Sequence, residues 1–130
     1  MAEFSNYLEN ALIDAVLRNT TYTSPATVYV SLYVSDPGED DSGTEVSTSG
    51  TAYARQAVTF GAPSNGVSTN SADVTFPTAT SSFGTVTHIG IHDASTGGNL
   101  LFYTDLSVSK TIDTGDIFKI TTGNLSVTLA

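Results

Sequence analysis

There is no cysteine among the 130 residues. That excludes disulfide staples and thiolate metal sites, and it leaves burial and hydrogen bonding to hold the chain together. Basic residues are almost as scarce: Arg18, Arg55, Lys110 and Lys119 stand scattered against 13 acidic residues, for a net charge of −9 and a pI near 4.1. A phosphate backbone is bound by releasing counterions to clustered Lys and Arg, so nucleic acid is not an expected partner. Charged residues of both signs make up only 13% of the chain, about half the usual share. The opening Met1-Ala2-Glu3-Phe4-Ser5-Asn6 lacks the basic region and apolar run of a secretory signal, and no later stretch approaches the about 20 apolar residues that span a bilayer. The chain is therefore expected to start out soluble in the cytoplasm, with no membrane insertion. The glycosylation-like triplets Asn19-Thr20-Thr21 and Asn124-Leu125-Ser126 carry little weight without a signal.

What is present is an asymmetry. Phe4, Leu8, Ala11, Leu12, Ala15 and Val16 recur at spacings of three and four, which predicts one helix over 4–18. Ser5 or Asn6 is placed to cap it, Asn6 with Glu9 has capping-box spacing, and Arg18 sits in the last turn where a cation favours the helix dipole. A helix of about 14 residues is marginal alone in water, so its stripe must be covered by its own sheet or by a neighbouring subunit. That makes it a candidate docking element.

The rest, 26–130, reads as a β body within a single domain of 1–130. Val28, Val30, Leu32 and Val34 alternate with Tyr29, Ser31 and Tyr33, the period of a half-buried strand. The segment Ser35 to Gly50 is acidic, Gly/Ser-rich and aperiodic, and reads as a long exposed loop. Further strands are predicted at Ala54–Phe60, Ala72–Phe76, Thr85–His92, Leu100–Asp105, Ile117–Thr121 and Leu125–Leu129, separated by Gly, Pro, Asn and Asp turn chemistry. Short strands at this spacing predict a mainly β fold: an antiparallel, jelly-roll-like sandwich with one N-terminal α-helix. Phe60, Phe76, Phe102 and Phe118 are expected in the core. Tyr29 and Tyr33 share the opposite strand face, where they rest under the helix, form a subunit contact or offer a sugar-stacking platform.

Catalytic and metal chemistry is poorly marked. His88 and His92 lie on one strand face about 13 Å apart, too far to hold one ion between them. An ion gathered from one such histidine per subunit around a three-fold axis is the alternative. Asp36-Pro37-Gly38-Glu39-Asp40-Asp41 lacks the ligand spacing of an EF-hand and reads as a solvated turn. There is no Gly-x-Ser-x-Gly elbow, no phosphate-cradling loop and no marked carboxylate pair. The chain is expected to be no enzyme and to need no cofactor or metal.

With these segments laid out, the chain resembles a family of small bacteriophage virion proteins commonly labelled tail fibre proteins. The resemblance rests on Ser5-Asn6-Tyr7-Leu8-Glu9-Asn10-Ala11-Leu12, on Ala26-Thr27-Val28-Tyr29-Val30-Ser31-Leu32-Tyr33 followed by Ser35-Asp36-Pro37, and on Gly43-Thr44-Glu45-Val46. It continues through Tyr53-Ala54-Arg55-Gln56-Ala57-Val58, Val74-Thr75-Phe76-Pro77, Phe83-Gly84-Thr85-Val86-Thr87-His88-Ile89-Gly90-Ile91 and Gly97-Gly98-Asn99-Leu100-Leu101, covering nearly the whole chain in order. It implies a non-enzymatic structural subunit of a virion, made in the host cytoplasm and assembled as a symmetric oligomer, with a trimer favoured by analogy. The expected partners are further copies and other virion proteins. The expected assembly and anchoring surface is Phe4, Leu8, Leu12, Ala15 and Val16 with Tyr29 and Tyr33. A capsid decoration protein, or a carbohydrate-binding module for host surface glycans, are the alternatives.

Overall fold

In a computed structural model that describes residues 2–129, the alternating segment becomes β2 (Val28–Tyr33), an inner strand of a five-stranded antiparallel sheet. Its neighbours are β6 (Gly84–His92) and β3 (Gln56–Val58); β7 (Leu100–Ile112) lies beyond β6, and β1 (Glu3–Phe4) closes that edge in the order β1-β7-β6-β2-β3. Against one face of this sheet lie two short antiparallel ribbons, β4 (Val67–Thr69) with β9 (Ser126–Thr128), and β5 (Val74–Thr75) with β8 (Lys119–Ile120). The fold is thus mainly β and antiparallel with one N-terminal helix, and its second layer is two ribbons rather than one continuous sheet. Each is too small to hide its inner face alone, so both depend on the large sheet.

The core lies between these layers. Val30, Leu32 and Val86 are fully buried, and Val74, Phe76, Phe118 and Ile120 meet them from the second layer. Tyr53 stacks on Phe76 at 6.1 Å between centroids and meets Phe83 edge-on at 5.8 Å, while Phe76 meets Phe118 edge-on at 5.7 Å. These offset and T-shaped arrangements favour aromatic quadrupoles beyond simple burial. Of the four phenylalanines expected inside, Phe76 and Phe118 are buried; Phe60 and Phe102 are half-buried and pack against the core's margin.

The helix α1 spans Asn6–Leu17, shorter than the predicted 4–18 at both ends. Phe4 is not helical: β1 pairs it with Phe102 of β7, and the two rings meet edge-on at 4.9 Å. Ser5 then caps the helix, its hydroxyl accepting from the Leu8 N–H at 3.2 Å. The same hydroxyl donates to the Leu100 carbonyl, and the Ser5 N–H donates to Leu101. Arg18 is the C-cap and pairs with Asp14 at 3.1 Å, an exposed pair that adds little.

Two further differences have clear causes. β7 runs seven residues past the predicted Asp105, because β6 offers a long partner; the register slips between Val86, opposite Lys110, and His88, opposite Asp105. The acidic segment 35–50 is not wholly solvated: Pro37 and Val46 are buried, the Val46 N–H donates to Leu32, and the Val34 N–H donates to Thr44. Its side chains are polar, yet its backbone completes the edge of β2.

Gly90 lets the outer face of the sheet close. A Cβ there would lie 2.7 Å from the Ser31 hydroxyl, 2.8 Å from a Leu100 methyl and 3.2 Å from the Tyr33 ring. Gly90→Ala is therefore expected to destabilise the fold by about 1–3 kcal/mol through overpacking. Urea unfolding checks this, and an unchanged midpoint would mean that Leu100 and Ser31 yield freely.

Candidate functional site

The pairing of β2 with β6 sets Tyr29 opposite His92, Ser31 opposite Gly90 and Tyr33 opposite His88, which gathers polar groups on the sheet face away from the core. His92 is 1% exposed. Its Nδ1 lies 2.9 Å from the Ser31 hydroxyl, and its Nε2 lies 3.3 Å from the Tyr33 hydroxyl and 3.6 Å from an Asp41 carboxylate oxygen. Tyr33 donates to the other Asp41 oxygen at 2.6 Å. The consistent assignment is a neutral imidazole: Ser31 donates to Nδ1, and Nε2–H points at the Tyr33 oxygen and Asp41. Burial, and then the nearby Arg55 charge, hold the His92 pKa below its ordinary value against the pull of Asp41 and Glu45. Burial and the Asp41 bond push the Tyr33 hydroxyl pKa well up, so it stays a donor.

Ser31, His92 and Asp41 have the residue types of a hydrolytic triad. What separates it from a working triad is burial: Ser31 is 0% exposed, so its hydroxyl faces no solvent. A buried hydroxyl that no substrate reaches is part of the packing. His88 is separate: its Nδ1 meets the Thr87 hydroxyl at 2.8 Å and its Nε2 lies 3.9 Å from Asp36. Among the described residues, no group of three His, Asp or Glu side chains is placed to hold a metal ion.

Beside this network Arg55 forms a clasp. Its Nε and Nη2 donate to the two Glu45 oxygens at 2.9 and 2.8 Å, and its Nη1 donates to the carbonyls of Ala94 and Gly97 at 3.0 and 2.8 Å. Glu45 also accepts from the Tyr53 hydroxyl at 2.5 Å, and that hydroxyl accepts from the Leu32 N–H. Burial opposes the Glu45 charge, but the bonds from Arg55 and Tyr53 outweigh it and hold the carboxyl pKa below the usual range. The clasp joins the 35–50 loop, the approach to β3 and the β6–β7 turn. In the sequence Arg55 and Glu45 stand only inside segments that carry the resemblance, and their spacing has no motif that pairs them.

A second buried anchor, Asn70, works on the other layer. Its amide donates to the carbonyls of Ala72 and Thr121, and its oxygen accepts from the N–H groups of Gly123 and Leu125. All of its strong hydrogen-bonding capacity is used inside the fold.

Between the layers, at the end where β4 meets β9, an open apolar cleft of about 290 Å³ is lined by Val28, Phe60, Pro63, Gly66, Ser68, Ile91, Leu101, Phe102, Val127 and Leu129. The Asn65-Gly66 turn shapes its mouth: both residues have positive φ, and a Cβ on Gly66 would lie 2.6 Å from the Leu129 carbonyl. The sequence carries a signal for this surface that the strand pattern hides. Stretches 19–35, 56–72, 94–104 and 120–130 contain no charged residue.

The predicted interface residues are dispersed. Leu8 is buried; Leu12 and Ala15 are half-buried; Phe4 is half-buried against Phe102; Val16 is 77% exposed. Tyr33 is 2% exposed within the His92 network, whereas Tyr29 is half-buried. The helix face turned to solvent is completed by Ile13 and Leu17, at 53% and 76% exposure, which the sequence stripe left out.

Fold and site together define a small β scaffold whose buried polar groups lock its loops in place. The chain belongs to the family described as Podophage GP4 fiber I protein gp80, whose family model matches residues 3–128, and it is thus a phage fibre structural protein of the tail-fibre type. No curated protein gives a significant match. No helix among the described residues is long and apolar enough to cross a membrane.

The buried neutral histidine gives a pH dependence of definite sign. Because the fold lowers its affinity for a proton, the unfolded chain takes up more protons as pH falls through about 6.5, and stability falls with it. Wild type is expected to lose more unfolding free energy between about pH 7.5 and 5.5 than His92→Asn. Parallel slopes in denaturant titrations would show that His92 does not titrate differently in the two states.

Proposed function

We propose that the chain is a non-enzymatic building block of a tail-fibre appendage, made in the host cytoplasm, that assembles with further copies of itself and meets other virion proteins. A trimer is the favoured assembly by analogy with fibres. The observation that carries this reading is the division of labour on α1. Leu8 is spent on the chain's own fold, and Ile13, Val16 and Leu17 remain 53–77% exposed on a helix too short to be stable on its own. Three large apolar side chains in one helical patch favour association, since covering them removes their surface from water.

The other expected contacts contribute unequally. Phe4, Leu12, Ala15 and Tyr29 are partly accessible, while Tyr33 supports assembly only indirectly, by holding the 35–50 loop through Asp41. Membership of a fibre family favours a fibre position over capsid decoration. A glycan-binding role draws less support, because Tyr33 is buried and the cleft presents only Ser68 as a polar side chain. The sealed Ser31 hydroxyl supports the non-enzymatic reading.

Because both residues are exposed, Val16→Ser with Leu17→Ser is expected to leave monomer stability within about 0.5 kcal/mol while abolishing the oligomer and incorporation into particles. Native mass spectrometry at micromolar concentration and electrophoresis of purified virions check the two halves. A wild-type monomer, or a double variant that assembles normally, would refute the role of the patch.

A further inference from the structure

We infer that the cleft at the β4–β9 end receives the exposed helix ridge of a second copy, so that each subunit offers a knob on one surface and a socket on another. This rests on the oligomeric reading above and specifies its contact. The socket holds about 290 Å³, roughly the space of ten waters. Water there finds almost no partner: Ser68 is the one polar side chain in the lining, and its hydroxyl already donates to the Gly61 carbonyl at 2.7 Å. Expelling that water into bulk favours an apolar occupant, and a sugar would find no convergent polar groups.

Charge selects which apolar occupant. Two copies at −9 each repel, and like charges facing each other across a contact cost several kcal/mol, so a self-contact must form where charge is absent. Four of the five stretches that line the cleft, 19–35, 56–72, 94–104 and 120–130, contain no charged residue, and the fifth contributes only Ile91. The ridge comes close to this: Ile13, Val16 and Leu17 form its crest, Asp14 and Arg18 on its flank pair at 3.1 Å, and Glu9, one turn before Ile13, leaves a single carboxylate at its N-terminal end. The chain thus carries both an exposed apolar crest with little net charge and an uncharged concave surface. A contact between unlike patches is heterologous and propagates head to tail, closing into a ring when the rotation allows and extending into a filament when it does not.

The absence of native cysteine makes the test clean. Leu17→Cys marks the ridge and Leu129→Cys the socket rim; both positions are more than half exposed, at 76% and 51%. On mild oxidation of the full chains, an equimolar mixture is expected to give at least about tenfold more cross-linked dimer than either variant alone. Native mass spectrometry of uncross-linked wild type runs alongside. Strong cross-linking of Leu17→Cys with itself would overturn the inference in favour of helix-to-helix pairing. An oligomer without selective cross-linking in the mixture would overturn it while leaving the oligomeric reading intact. A monomer with no cross-linking would defeat both, and would turn the ridge over to a different virion protein.

Discussion

The bidentate pair between Arg55 and Glu45 governs how the outer face of this molecule is closed. Among the described residues Arg55 is the one buried cation, its side chain 9% exposed, whereas Arg18 and Lys119 stand in solvent. A guanidinium taken out of water needs its donors matched, and here one carboxylate and two turn carbonyls take four of its five N–H groups. Through Glu45 the bond reaches Tyr53, whose ring is stacked in the core and whose hydroxyl takes the Leu32 N–H. One charge therefore ties a long loop, a hairpin turn and the aromatic centre together. With the loop held, Asp41 is in place for Tyr33 and His92, and the polar groups beneath it are satisfied without water. Removing Arg55 would leave the Glu45 carboxylate, a quarter exposed, with Tyr53 alone, and removing Glu45 would leave the Arg55 charge with two carbonyls and no counter-charge.

Much of the architecture was legible in the sequence because it is written in period. β2 alternates cleanly, and Thr85–His92 and Leu100 onward carry the β-branched and aromatic residues of strands, so the sheet's inner members were found within a residue or two at most ends. What escaped is local structure determined by distant partners. Phe4 fits the helical spacing but is claimed by β7, and no local signal tells a helix from a two-residue strand formed across the whole chain. β4 is three residues long and lies beside an Asn-Gly turn, so its neighbours drowned its pattern. The acidic segment reads as solvent-exposed by composition, yet Pro37 and Val46 are buried because the backbone there serves as a strand edge.

The proposed assembly surface was only half legible for the same reason. The stripe pointed to α1 as an apolar helix needing cover, and Leu8 is covered as that argument requires. Which side stays open depends on how the helix is rolled against β7, a tertiary fact that spacing does not carry. Ile13 and Leu17 therefore emerged only from their exposure. The cleft left no motif because apolar residues from five separate places line it. Its trace in the sequence is the silence of charge across four stretches, read as ordinary loop and strand composition until the fold brought them together.

The docking of β1 and the start of α1 onto β7 has a consequence for biosynthesis. Ser5 is anchored to the carbonyls of Leu100 and Leu101, and Glu3 to the hydroxyl of Tyr103, a hundred residues further on. The helix leaves the ribosome some 95 residues ahead of its seat, an interval of about 5–20 s at elongation rates of about 5–20 residues per second. For that time Leu8 and its neighbours are bare in a crowded lysate, where their remedies are transient coiling, a chaperone or a wrong neighbour. The final clasp of β1 onto β7 is thus a late step, and a nascent chain interrupted before residue 100 has nothing to fold its beginning against.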